Sequence, residues 1–246
     1  PLISAAIIAV VLSFFTHWFF YLPKAILAAI IIVAIVNLIN ISYAIRLYKS
    51  AKDEFLILLF TFFLTLFIGI TEGILLGILL SLLLLVYRNS KPHYAFLGRI
   101  GTTNYFKNIH RFPDEVVTRE DLVILRFDAQ HFFGNFQYFK QLVNEAVNKN
   151  PEKIKGFIIN GRSINYIDSS AAEQLTELIL SLQKKGIRVM FVGAIGPARD
   201  VILKSNIIKA LKKQNLFITS GDATDSFDGF CKKTPLQKKL SQQRNS

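Results

Sequence analysis

The seven residues Asn165-Tyr-Ile-Asp-Ser-Ser-Ala171 hold most of the chemistry this chain offers. They stand just ahead of an apolar-periodic run, where a helix would begin. A helix start presents free backbone N–H groups and a positive dipole end, a setting that suits a phosphate. Ser169 or Ser170 could carry one after phosphorylation, or the loop of Asp168, Ser169 and Ser170 could contact an anion or a nucleotide. The same residues have a purely structural reading: Ser170-Ala-Ala-Glu173 is spaced as a capping box, in which serine and glutamate each satisfy an orphan backbone N–H. There is no glycine-rich phosphate loop. His93, His110 and His131 fall in linker or loop contexts with no partner at a useful spacing. A single cysteine, Cys231, leaves neither an internal disulfide nor a cysteine-based zinc site. The residues point to no catalytic constellation, no metal and no cofactor, hence to no enzyme.

The segments that must position this loop alternate between strand and helix patterns. Leu122-Val-Ile-Leu-Arg-Phe127 reads as a strand, and His131-Phe-Phe-Gly-Asn-Phe136 as a second short strand and turn. Phe136, Phe139, Leu142, Val143, Ala146 and Val147 recur at helical spacing up to Pro151. Gly156-Phe-Ile-Ile-Asn160 is a buried strand. Ala172, Leu175, Leu178, Ile179 and Leu182 line the next helix, which stops before Gly186. A strand over 187–192, a short helix opened by Gly196-Pro197 and a last strand at Leu216-Phe-Ile218 complete a small α/β unit, its sheet largely parallel. Its expected bounds are 116–225, with a basic, disordered tail over 226–246 and a linker over 89–115.

Ahead of it the composition changes. The chain has 246 residues and a formal charge of +12, but the apolar residues crowd into the first ninety positions and the lysines into the rest. Phe55 to Tyr87 holds one acidic residue, Glu72, near its middle. As one helix it would run roughly 50 Å at 1.5 Å per residue, against a bilayer core of about 30 Å. Two spans, about 55–70 and 73–88, meeting at a Gly69–Gly73 turn, resolve the excess and place Glu72 at the interface, away from the costly bilayer centre. A role for Glu72 in ion coupling is the alternative. Residues 2–22 and 24–41 are two further spans, the first ending in a His17, Trp18 and Tyr21 belt. Asn37 and Asn40 would face protein. Arg46, Lys49 and Lys52, and later Arg88, Lys91 and Arg99, place 42–54 and everything after 88 in the cytoplasm by the positive-inside rule. The first residue is Pro, with no basic segment or cleavage site of a signal peptide, and the chain reads as cut from something longer. No basic stripe interleaved with aromatics suggests nucleic acid.

In this order and spacing, several short stretches resemble the SulP family of anion transporters with a C-terminal STAS domain. They are Leu22-Pro-Lys-Ala-Ile-Leu-Ala-Ala-Ile-Ile31, Thr71-Glu-Gly-Ile-Leu-Leu-Gly-Ile78 and Ser90-Lys-Pro with Leu97-Gly98, then Phe132-Phe-Gly-Asn135, Tyr166-Ile-Asp-Ser-Ser170 and Gly196-Pro-Ala-Arg-Asp200. The resemblance implies the last four membrane helices of an inverted-repeat carrier followed by a soluble STAS domain. It implies a small inorganic anion (sulfate, bicarbonate or a related one) as substrate, a multi-pass place in the cell membrane among lipid, and a homodimer. Substrate-binding half-helices are then expected upstream of Pro1, and the STAS domain serves regulation or assembly. In the related anti-sigma-factor antagonists the serine after the aspartate is phosphorylated, which singles out Ser169; Ala171 stands where those proteins have glycine. The alternative is a membrane-tethered STAS module that signals through a protein or nucleotide and transports nothing.

Overall fold

The structure, a computed structural model, describes residues 2–19, 23–36, 39–101 and 103–229. The expected Tyr21 end of the aromatic belt, Asn37 and the tail beyond Gly229 lie outside the described residues, as do the side chains of His17 and Trp18. Two compact units form, Pro1–Leu82 and Leu83–Ser246.

The first unit is helical: α1 (Leu2–Phe19), α2 (Lys24–Val36), α3 (Ile41–Ser50), α4 (Lys52–Phe67) and α5 (Ile70–Ser90), the last running on into the second unit. Pro23 precedes α2, where its missing N–H costs nothing. The segment expected as a cytoplasmic loop is mostly α3, a short amphipathic helix carrying Arg46 and Lys49. Asn40 is exposed. It caps α3, its Oδ1 accepting from the Tyr43 amide at 3.0 Å. Of these helices α5 is long and apolar enough to cross a bilayer unaided.

The break between α4 and α5 is tighter than the expected Gly69–Gly73 turn. Gly69 makes the reversal at φ +148, a region that side chains rarely adopt. Thr71, Glu72 and Gly73 already belong to the first turn of α5. Glu72 therefore sits at a helix N-terminus, where a carboxylate is favoured, and its side chain folds back over Gly69. Gly73 and Gly77 are buried in this hairpin. A Cβ at Gly73 would stand 2.6 Å from Cα of Thr65, and one at Gly77 2.7 Å from the Thr61 side chain. Small residues four apart thus let two helices touch without side chains between them.

The second unit is a six-stranded sheet in the order β2-β1-β3-β4-β5-β6. β3 (Leu122–Phe127), β4 (Gly156–Asn160), β5 (Arg188–Val192) and β6 (Leu216–Phe217) are parallel. β1 (Tyr94–Arg99) runs antiparallel to β3 and to β2 (Phe106–Asn108). The expected linker over 89–115 is therefore part of the fold, and the sheet begins at Tyr94 rather than near Val116. α6 (Phe136–Lys149), α7 (Ser169–Lys184), α8 (Gly196–Lys204) and α9 (Ile207–Leu211) contribute to the larger core. α10 (Ser220–Phe227) sets Ala223 and Phe227 against Leu122, Ile158 and Met190 of the smaller one. The apolar stripes read from the sequence in α6 and α7 are the buried faces. Full burial of one such leucine or phenylalanine is worth about 1.5–3 kcal/mol.

Candidate functional site

In an open parallel sheet, ligands and regulation gather where the strands end at their carboxyl edge. Two loops meet there. After β3 the chain runs through His131-Phe-Phe-Gly-Asn135 into α6, and after β4 through residues 161–168 into α7. Instead of the expected short strand, His131 makes a single parallel bridge to Ile167. Its N–H donates to Tyr166 O (2.9 Å) and its carbonyl accepts from the Asp168 N–H (3.0 Å).

Asp168 ties the loops together. One carboxylate oxygen accepts from the Ala171 amide at 2.6 Å, capping α7; the other accepts from the Phe133 amide at 2.9 Å, in the opposite loop. The helix therefore starts at Ser169, and the capping box expected at Ser170–Glu173 is not formed. Ser170 lies inside the first turn, its Oγ accepting from Gln174 at 3.4 Å. A carboxylate with two oxygens can cap and cross-link together, which a serine hydroxyl does not match. Ser169 and Ser170 are exposed. Ser169 borders an open groove of about 850 Å³ that also touches Glu173, Glu177, Asp200 and Lys204. Glu72 belongs to the other unit.

Asn135 is the second anchor. It is fully buried. Its Oδ1 accepts from the Phe132 amide (3.1 Å), and its Nδ2 donates to Gln130 O (2.8 Å) and Asn89 O (3.3 Å). Asn89 is the penultimate residue of α5. The His131 ring is buried among Phe127, Phe136 and Phe139, with centroids 5.0, 5.6 and 4.6 Å away, and neither ring nitrogen has a partner. Desolvation pushes its pKa down to about 3, so it is neutral. Beside the loops, Arg126 forks onto Asp128, which also accepts from Ser163 and pairs with His93 Nδ1. Burial works to raise the Asp128 pKa, but these hydrogen bonds outweigh it and hold the carboxyl below its usual range. Sequence reading gave no role to Asn135, His131 or Asp128. His93 and Ser163 each reach Asp128 from 35 residues away, and Asn135 binds backbone atoms, contacts that no local spacing reveals.

Among the described residues the geometry of this site offers capping, cross-linking and an exposed serine, but no nucleophile–base pair. Among the described residues no cluster of metal-binding side chains exists. Comparison with known proteins finds two family matches. Residues 1–61 match the model of the sulfate permease family, and residues 115–223 that of the STAS domain. The chain is thus similar to sulfate permeases in its first part and to STAS domains in its second. It is 32% identical over 234 residues to the probable sulfate transporter 4.2 of Arabidopsis thaliana, covering 90% of this chain and 34% of that protein. Identity and coverage are the same for the chloroplastic sulfate transporter 4.1 of that plant. The chain thus spans about a third of the length of these relatives. The solved murine Solute Carrier 26 family member A9 anion transporter, in its inward-facing state, superposes with a TM-score of 0.73 at 18% identity, over 85% of this chain and 34% of that one. That likeness shows a shared fold. Sulfate permeases are multi-pass membrane proteins, so the N-terminal unit is membrane helix and the sheet with its helices is the STAS domain.

Within the STAS domain, Asp168→Ala should lower stability by about 1–2 kcal/mol, the usual worth of a helix cap, and free the Phe133 amide. Ser169→Ala removes no cap and should be near neutral. Thermal denaturation of the two variants side by side checks this; equal melting temperatures for wild type and Asp168→Ala would count against the cross-link.

Proposed function

We propose that this chain is the C-terminal part of a secondary transporter for a small inorganic anion of the sulfate or bicarbonate class, with its STAS domain serving regulation or assembly. The observation that carries the reading is the order of the two matches, sulfate permease helices followed by STAS domain, within an alignment to sulfate transporters over 90% of the chain. The anion would be held by half-helix N-termini in the part of the relatives that this chain does not cover. Cells expressing the complete gene should take up labelled sulfate or bicarbonate above vector controls. A protein that reaches the membrane without raising uptake of either would overturn the reading.

The same reading puts four spans in the cell membrane among lipid, the STAS domain in the cytoplasm and the protein in homodimers. With Cys231 replaced by Ser, Tyr105→Cys, on an exposed STAS residue, should resist an impermeant maleimide in intact cells and react after lysis. Glu72→Cys should react in both. Labelling of Tyr105→Cys in intact cells would break the four-span topology. Light scattering of the detergent-solubilised protein tests the dimer.

Asp168, Ser169 and Ser170 form the regulatory loop in this proposal. A phosphate on Ser169 brings about −1.5 to −2 charges beside the Asp168 cap and the groove containing Glu173, Glu177 and Asp200. Like-charge repulsion would then loosen the Asp168–Phe133 link. A Ser169→Asp variant that leaves hydrogen exchange of the Phe133 amide unchanged would rule this out.

A further inference from the structure

A second place at the carboxyl edge of the STAS sheet has a chemistry the regulatory loop does not use. A cavity of about 490 Å³ opens over the ends of β4, β5 and β6, lined by Arg162, Gly193, Ile195, Arg199, Phe217 and Ile218. Arg162 is exposed, whereas an arginine nitrogen sealed from solvent, as in Arg199, is ordinarily paired. Elsewhere in the domain Arg99, Arg119 and Arg126 all hold carboxylates. Arg162 makes no side-chain hydrogen bond or ion pair among the described residues; only its backbone N–H is engaged, with Asn160 Oδ1 at 3.2 Å. Arg199 is half-buried, and its Nε is sealed from solvent without an acceptor. All 17 Asp and Glu residues of this sequence lie within the described residues, and none of them pairs with Arg162 or Arg199. Asp128, which accepts from Ser163 next to Arg162 in the chain, is already occupied by Arg126 and His93 as well.

The backbone leaves room for the Arg162 side chain on this rim. Gly193 adopts φ +69, and a Cβ there would stand 2.5 Å from Cγ of Arg162. A side chain at 193 would therefore push Arg162 off its path. α8 begins at Gly196 on the same rim, with no side-chain cap on its first amides. Its dipole adds to the positive field without competing for the arginines.

We propose that this cavity binds an oxoanion, a phosphate or sulfate group, gripped by Arg162 and Arg199. Planar guanidinium forks match tetrahedral oxoanions through paired charge-assisted hydrogen bonds. The apolar wall of Ile195, Phe217 and Ile218 leaves room for an organic part attached to the anion, so the group is either free, carried by a small molecule or borne by a lipid headgroup. Binding here would set the β5–α8 and β4–α7 loops together, and the second of these leads to Asp168.

The full chain in neutral detergent is titrated calorimetrically with sodium sulfate, sodium phosphate and a nucleoside monophosphate at constant ionic strength. In parallel, after transfer to nanodiscs, it is floated with vesicles of phosphatidylcholine with or without phosphatidylglycerol. Arg162→Ala, on an exposed residue, and Arg199→Lys, which keeps the charge but not the fork, should each weaken binding by about ten-fold or more, the worth of one charge-assisted hydrogen bond. Gly193→Val should do the same through Arg162. Sensitivity of the soluble ligands to these substitutions assigns a free or small-molecule anion; sensitivity of flotation alone assigns a lipid headgroup, and either supports the site. Binding indifferent to all three substitutions, or absent in every arm, overturns it.

Discussion

Lowering the pH from 7 to 4.5 should loosen the STAS domain before its carboxylates titrate, and His131 is the reason. In the unfolded chain this histidine takes up a proton below about 6.5. In the fold it does so only near 3, because protonation would bury an unsolvated charge among three phenylalanines. Between those values the unfolded state binds one more proton than the folded state, so stability falls as the pH falls. At 1.36 kcal/mol per unit the loss is about 3 kcal/mol by pH 4.5 and about 5 kcal/mol by pH 3. Asp121 and Asp128 act in a different window. Hydrogen bonds from Arg119 hold Asp121 below the usual range; for Asp128, burial pulls upward but the bonds from Arg126, His93 and Ser163 prevail. Their contributions are complete above about pH 4 and are lost only below it. His131→Leu, similar in bulk and unable to ionise, should therefore flatten the slope from 7 to 4.5 while leaving the lower limb intact. Hydrogen exchange over β3, β4 and α6, corrected for the intrinsic pH dependence of exchange, reads this directly. Identical slopes for wild type and His131→Leu would remove the histidine from the account.

Asn135→Ala should be nearly as damaging at neutral pH. The side chain makes three hydrogen bonds from a fully buried position. Truncation orphans the Phe132 amide and the Gln130 and Asn89 carbonyls, and an unsatisfied buried group costs about 1–3 kcal/mol. A total near 3 kcal/mol is expected, since relaxation will return some of these groups to water. Asn135→Asp should be worse than alanine, because its carboxylate would face two carbonyl oxygens in place of a donor. Chemical denaturation of the three proteins gives the order, and an Asn135→Asp at least as stable as wild type would contradict it. Protection of the amides at the end of α5 should fall with Asn135→Ala but not with Ser169→Ala.

The helices and parallel strands were legible because each is written in its own stretch of sequence. The apolar residues of α6 and α7 recur at helical spacing, and β4 is a short apolar run between Pro151 and a polar loop. The break at Gly69 was legible to within a few residues from the length of the apolar run. The antiparallel strands were not: β2 is three residues long, and β1 earns its place only by pairing with β3, across an intervening loop. The position of the loop ahead of α7 was legible, but its cap was not. Ser170 and Glu173 satisfy the local pattern, whereas Asp168 wins through the Phe133 amide 35 residues earlier in the chain, a contact with no local signature. Arg162 and Arg199 come to line one cavity only in the fold, 37 residues apart in the chain.

The place of β1 decides where this domain can be separated from its membrane helices. The stretch matched as STAS, 115–223, leaves out both antiparallel strands. A piece starting there would strip Leu122-Val-Ile-Leu-Arg-Phe127 of its neighbour on one side, baring a row of N–H and C=O groups along a strand with a single charge. Such an edge is a template for another copy of itself, and the excised piece should precipitate or form ribbons. Starting instead at His93, whose carbonyl accepts from the Asp128 amide and whose ring meets the Asp128 carboxylate, keeps β3 inside the sheet and leaves the three-residue β2 as the outermost strand on that side. Only three residues separate α5 from the first strand, so a cut that spares β1 has a window of three residues in which to fall.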